Sequence, residues 1–213
     1  MKTTLKILFL SGLIGLMAFT FSCGQNNNAT PNPSKSDTVA VAAFPNQIGD
    51  SWTYSVFDST TLKMQTVVVK ITGDTVFSSN QKFKIWECFY PDKRDTAYVN
   101  IVGDTVNFNF KSGFYNTKYT FPLYIGKSWL SGKSGSTHSS TVEKIESITV
   151  PAGTFKDCYQ IKTTIVGYNY GLVTNDWFMP GVGFIQHHIN EHSFGPVYIQ
   201  VWKLVNYTIV NQN

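Results

Sequence analysis

Charge is what this chain has least of. Only 14% of its residues are Asp, Glu, Lys or Arg, and no basic run exceeds the pair Lys93-Arg94. That composition excludes a basic nucleic-acid surface, so nucleic acid is not expected as a partner. Cysteine is scarce too, with Cys23, Cys88 and Cys158 alone, and no spaced Cys/His set suits zinc. A Gly-x-Ser-x-Gly elbow is missing, which removes local support for a serine hydrolase. Gly132-Lys133-Ser134 ends like a phosphate-binding loop, but Lys127 stands where the first glycine belongs and no helix follows. No amphipathic helix of three turns follows residue 23, and no cofactor is expected.

Aromatic residues, by contrast, make up 15% of the chain, and with few charges they favour strands. The period is two. Val106, Phe108 and Phe110 alternate with Thr105, Asn107 and Asn109, and Tyr159, Ile161 and Ile165 alternate with Gln160, Lys162 and Thr164. This is the pattern of half-buried antiparallel strands. It predicts strands near 51–57, 63–72, 75–78, 82–90, 95–102, 104–110, 117–121, 141–150, 158–167, 173–179, 182–190 and 197–209. Gly73-Asp74 and Gly103-Asp104 read as two-residue hairpin turns. Val150-Pro151-Ala152-Gly153 and Met179-Pro180-Gly181 read as Pro/Gly turns, the second of type II. Residues 131–136 read as a flexible tip. The fold class is all-β and antiparallel, with a β-sandwich as the alternative to a curved sheet.

One segment recurs. Phe44-Pro45-Asn46-Gln47-Ile48-Gly49-Asp50-Ser51-Trp52 matches Phe121-Pro122-Leu123-Tyr124-Ile125-Gly126-Lys127-Ser128-Trp129 at six of nine positions. Val68-Val69-Lys70-Ile71 parallels Val142-Glu143-Lys144-Ile145, and Asp95 to Tyr98 loosely parallels Asp176 to Phe178. The order is kept, so two duplicated halves are expected, about 44–120 and 121–205.

The N-terminus carries Lys2 and Lys6, an apolar run from Ile7 to Phe21, then Ser22-Cys23. A positive start, a short apolar segment and a small residue before the cut are the parts of a secretory signal. Thr20-Phe21-Ser22-Cys23 resembles a lipobox, in the loose form of Bacteroidota-type lipoproteins. The resemblance implies a signal peptide over 1–22, acylation of Cys23 with three chains, and an envelope protein anchored in a membrane, the outer membrane being expected. Ordinary cleavage and an uncleaved segment are the rival readings. Losing residues 1–22 removes Lys2 and Lys6 and lowers the formal charge from +4 to +2. Residues 23–43 follow as lipidated cysteine and polar tether, with an r.m.s. span of about 25 Å, and residues 44–210 form a single β domain. An oxidising periplasm permits a Cys88–Cys158 disulfide, against two separate buried thiols.

The second half carries another resemblance. Val150-Pro151-Ala152-Gly153-Thr154-Phe155, then Cys158, then Trp177-Phe178-Met179-Pro180-Gly181-Val182-Gly183 resembles a pattern of uncharacterised bacterial envelope proteins. Those are similar to the LolA/LolB-like group. The resemblance implies a strongly curved antiparallel sheet forming an incomplete, half-open barrel whose apolar concave face holds acyl chains. It also implies a lone Cys158. Tyr168, Tyr170, Trp177, Phe178 and Trp202 are the expected lining, although such aromatics more often fill a core. His187, His188 and His192 form an HHxxxH cluster, read as polar hairpin positions and not as a metal site. No catalytic residue is assigned. The expected role is non-enzymatic binding of an apolar ligand or a lipidated envelope partner. A solid-cored interaction lipoprotein is the alternative, and a hydrolase, which would need convergent acids or an Asp–His pair in one cleft, comes third.

Overall fold

The alternating segments pair into one antiparallel sheet. The computed structural model describes residues 38–77, 80–111, 116–132, 136–167, 170–193 and 197–210, and within them the sheet has twelve strands. The first half holds β1 (Ser51–Asp58), β2 (Lys63–Val76), β3 (Lys82–Phe89), β4 (Arg94–Val102), β5 (Thr105–Phe110) and β6 (Asn116–Thr120). The second holds β7 (Ser128–Ser131), β8 (Ser136–Val150), β9 (Gly153–Gly167), β10 (Tyr170–Met179), β11 (Gly183–Ser193) and β12 (Tyr198–Thr208). Each strand pairs with its neighbour in sequence, except that β6 and β7 are unpaired with each other and β12 returns to pair with β1. The sheet curls into a nearly closed barrel with an unsealed seam between β6 and β7. The half-open, all-β reading therefore holds, and the sandwich does not.

The chain enters at one end. There β1, β3, β5, β7, β9 and β11 begin and the even strands finish. Both copies of the repeated segment lie at this end and fold alike. Gly49 and Gly126 take φ of 101° and 86°, which only glycine adopts freely. Asp50 N–H donates to the Gln47 carbonyl and Lys127 N–H to the Tyr124 carbonyl, each at 3.0 Å. Gly49 exchanges hydrogen bonds with Ile71 of β2 through Asp50, as Gly126 does with Val142 of β8 through Lys127. The structural equivalent of Val142 is thus Ile71, three residues from the match that sequence similarity suggested.

Phe44 and Phe121 precede β1 and β7 and turn into the barrel. Phe44 stacks on Trp86 at 5.9 Å and on Phe178 at 5.8 Å, and Phe121 meets the Phe178 edge at 5.8 Å. Trp52 stacks on Trp86 at 4.9 Å. These rings plug the entrance end. Residues 38–43, expected as the last of the tether, are part of this packing. Val39 and Leu123 exchange backbone hydrogen bonds at 3.0 and 2.8 Å, and Gly181 N–H donates to the Ala43 carbonyl. The reason is apolar content: Val39, Val41 and Ala43 pack on the core.

Other expectations need correction. Gly103-Asp104 is a hairpin turn, but Gly73-Asp74 is not. β2 runs through it, with the register slipping between Ile71 and Gly73, so Gly73 serves a β-bulge. β7 was not foreseen, because four residues are too few to show a period. β8 and β9 extend further than expected. The added positions of β8 bury His138, and Ser140 against Thr163 (Oγ to Oγ1, 2.8 Å), so the inward face there is polar and hides the alternation. The Met179-Pro180-Gly181 turn forms as expected, with Val182 N–H donating to the Met179 carbonyl at 3.1 Å and Gly181 at φ 75°. Residues 133–135 of the expected flexible tip lie outside the described residues.

Phe44 makes ring contacts while contributing no strand pairing. Phe44→Ala is expected to lower stability by about 3–5 kcal/mol in urea unfolding while leaving the β circular-dichroism signal of the folded state intact.

Candidate functional site

Residues directly opposite on paired antiparallel strands share a face. The register therefore lays one row across the interior: Val142, Ile161, Asp176, His187, Trp202 and Val56. Its outer members are fully buried. At its centre Asp176 is 3% exposed, while the His187 side chain beside it is 29% exposed. The interior is thus closed by aromatic rings at the entrance end and reaches water at the opposite end, past His187 and Trp202.

Asp176 is held twice. The Tyr119 hydroxyl, from β6 on the far side of the seam, donates to Asp176 Oδ2 at 3.0 Å, and His187 Nδ1 bonds Asp176 Oδ1. Burial, and then the charge of Asp176, push the Tyr119 hydroxyl well above its ordinary pKa. It stays a donor at any physiological pH.

Further rings complete the open end. Trp202 contacts Tyr54 at 5.7 Å, Tyr90 at 6.1 Å and His187 at 6.5 Å, and its indole N–H donates to Gln200 Oε1 at 2.7 Å. Tyr54 donates its hydroxyl proton to the Phe184 carbonyl at 2.9 Å. The Lys93 ammonium lies 5.0 Å over the Tyr90 ring. Cys88 pairs with Asp95 across β3 and β4, and burial together with the Asp95 charge pushes its thiol up to about 12. Burial likewise raises Cys158, to about 11. Both are free thiols on separate strands. Neither has the thiolate character of a nucleophile.

The expected lining divides. Trp202 sits in the row. Phe178 is 1% exposed and stacked in the entrance plug. Trp177 lies on the opposite face from Asp176, its indole donating to Glu146 Oε1 at 2.8 Å and its ring 4.9 Å from His188. That indole bond, with Lys144, holds the Glu146 carboxyl below its usual range. Tyr170 opens β10 opposite Ser193, and its side chain, like that of His192, lies outside the described residues, as does all of Tyr168. His187 and His188 point to opposite faces, which divides the histidine cluster. Among the described residues no group of three or more His, Cys, Asp or Glu is placed to hold a metal ion.

The Asp176–His187 pair was missed for a physical reason. Counting back from the Met179–Gly183 pair, an unbroken hairpin would set Asp176 opposite Gln186. A register shift between Trp177 and Phe178 sets it opposite His187 instead. Nothing in the sequence marks that bulge.

No protein-family model matches the chain, and no curated protein does. Solved structures are similar to it at low identity. One is a candidate lipoprotein from Parabacteroides distasonis ATCC 8503, 16% identical, with TM-score 0.47 over 81% of this chain and 100% of that one. Another is a candidate exported protein with a YmcC-like fold from Bacteroides fragilis NCTC 9343, 14% identical, with TM-score 0.47 over 78% of this chain and 98% of that one.

Two measurements probe this region. Tyr119→Phe leaves one buried carboxylate oxygen without its donor, and about 1.5–3 kcal/mol of stability should be lost, read as a lower urea midpoint. His138 and His188 are held below their ordinary pKa, first by burial and, for His188, also by His187 and Lys203. The unfolded chain then binds more protons once pH drops below about 6.5. Stability should fall as pH goes from about 7 towards 5, and His138→Gln with His188→Gln should flatten that fall.

Proposed function

We propose that this chain is a lipid-anchored envelope protein whose half-open barrel binds an apolar ligand, without catalysis, at the end away from the aromatic plug. The observation that carries the reading is the pair Trp202 and His187, half-exposed in a row whose other members, Val142, Ile161, Asp176 and Val56, are buried. Trp202, Tyr54 and Tyr90 supply apolar surface there, and His187 with Asp176 supplies a polar point that fixes orientation. The LolA/LolB-like pattern supports the ligand class. Filling of the lower barrel by Phe44, Phe121 and Phe178 makes the site shallow, so it takes the end of an acyl chain or an acylated segment rather than a whole lipid. Acylation at Cys23 supplies the membrane hold that a near-neutral domain lacks, and the outer membrane is its proposed address.

The Asp176–His187 pair is what an acid–base site would need. An activated nucleophile beside it is what a hydrolase would also need, and the nearby thiol of Cys88 is kept protonated. Binding is therefore the better reading.

Titration with the fluorescent fatty acid cis-parinaric acid should give saturable binding. Trp202→Ala should weaken it about tenfold or more, with Leu130→Ala, 74% exposed on β7, as a control that leaves it unchanged. Equal binding by the Trp202 variant, or no saturable binding at all, would overturn the site. Separately, Cys23→Ala should release folded protein from membranes into the soluble fraction, and continued tight membrane association would overturn the anchor.

A further inference from the structure

In both copies of the repeated turn, one apolar side chain has no role in the core. Ile48 is 47% exposed and Ile125 is 58% exposed, while Phe44, Phe121 and Leu123 beside them are buried. The local fold explains how. Each isoleucine precedes a positive-φ glycine in a tight turn, so its side chain projects beyond the end of the barrel. Val102, at the end of β4, and Val210, past β12, are exposed at the same end. Each turn is tied there to another segment: Val39 bridges Leu123 of one, and Val210 N–H donates to Asp50 Oδ1 of the other.

We propose that this end of the barrel rests on a lipid surface, with Ile48 and Ile125 inserted among the headgroups. The proposal rests on the anchor reading above, which sets the occupant. The chain joins the sheet at this end, and Val39 stands sixteen residues after Cys23. A polar tether of that length spans about 22 Å, so the end carrying the isoleucines stays close to the membrane that holds the acyl chains. Tethering gives an effective concentration on the order of millimolar or above. Insertion too weak to recruit the protein alone is then enough to orient it. The consequence is directional: Trp202 and His187 open away from the bilayer, towards whatever approaches from outside it. Exposure alone does not select this end, since Leu62, in the β1–β2 turn at the other end, is more exposed still at 77%. Position relative to the tether does.

The experiment removes the acyl chain, so that its result does not depend on the anchor. The Cys23→Ala chain is co-sedimented with phosphatidylethanolamine/phosphatidylglycerol vesicles at millimolar lipid. Weak binding that added salt does not abolish is expected. Ile48→Asp with Ile125→Asp should reduce it about tenfold or more, and Leu62→Asp should leave it unchanged. Both isoleucines are exposed, so unchanged unfolding midpoints should accompany the loss. No binding at millimolar lipid, binding that survives the double substitution, or equal loss with Leu62→Asp would each overturn the proposal. So would lipid-free self-association that the same pair of substitutions abolishes, which would make a second copy the occupant.

Discussion

The pairing of β1 with β12 is the constraint on which the rest of this molecule depends. Among the described strands every other pairing joins neighbours in sequence, and those could form in two independent six-stranded meanders. β1–β12 instead joins Ser51 to Thr208 and closes a loop of more than 150 residues. Only once it forms do the two halves share one interior. Tyr54 and Leu204, opposite one another in that pairing, are both buried inside it. Being non-local, this step is the slow one to form, because loop closure must precede the contacts that reward it.

A sheet that closes on one side and not the other has to manage its seam. Two side chains do this between β6 and the strands beyond it. Trp129 of β7 donates its indole N–H to the Lys118 carbonyl of β6 at 2.8 Å, and Tyr119 of β6 reaches Asp176 on β10. The repeat shows why the other junction is paired and this one is not. Asp50 is fully buried and accepts backbone protons from Gln47 and Val210, so it clamps the chain just past β12 alongside β1. At the equivalent position stands Lys127, whose ammonium lies over the Tyr124 ring at 5.8 Å and which has no carboxylate to offer. Two residues past β6 is Pro122, which has no N–H to give. One junction has an acceptor and a donor, and the other lacks both.

How much of this was legible in the sequence follows from the same physics. Period-two alternation marks a strand wherever one face is apolar and the other polar, which is why β5 and much of β9 could be read. It fails where the inward face is itself polar, as at His138 and Ser140, and where a strand is as short as β7. Glycine signals a turn at Gly103 and a bulge at Gly73, and composition alone does not separate the two. Phe178 and Trp202 are alike as aromatic residues in strands. Only the register decides that one is in the plug and the other at the open end. The pairing of Asp176 with His187 was the least legible, since a single inserted residue moves it.

The aromatic content of the chain makes the two ends of the barrel different. Every one of the five indole N–H groups has an acceptor, at Val182, Asn46, Lys118, Glu146 and Gln200. Four of those five tryptophans are buried and work as pegs that fix the curl of the sheet. Trp202 is the one left half-exposed, and its acceptor, Gln200, lies on its own strand. Its hydrogen bond therefore ties no two strands together. Its ring packs instead on Tyr54 of β1 and on Tyr90, and it stands beside the half-exposed His187 of the Asp176–His187 pair. Phe44 and Phe121 fill the opposite end, so the packed rings and the half-exposed one are separated along the barrel.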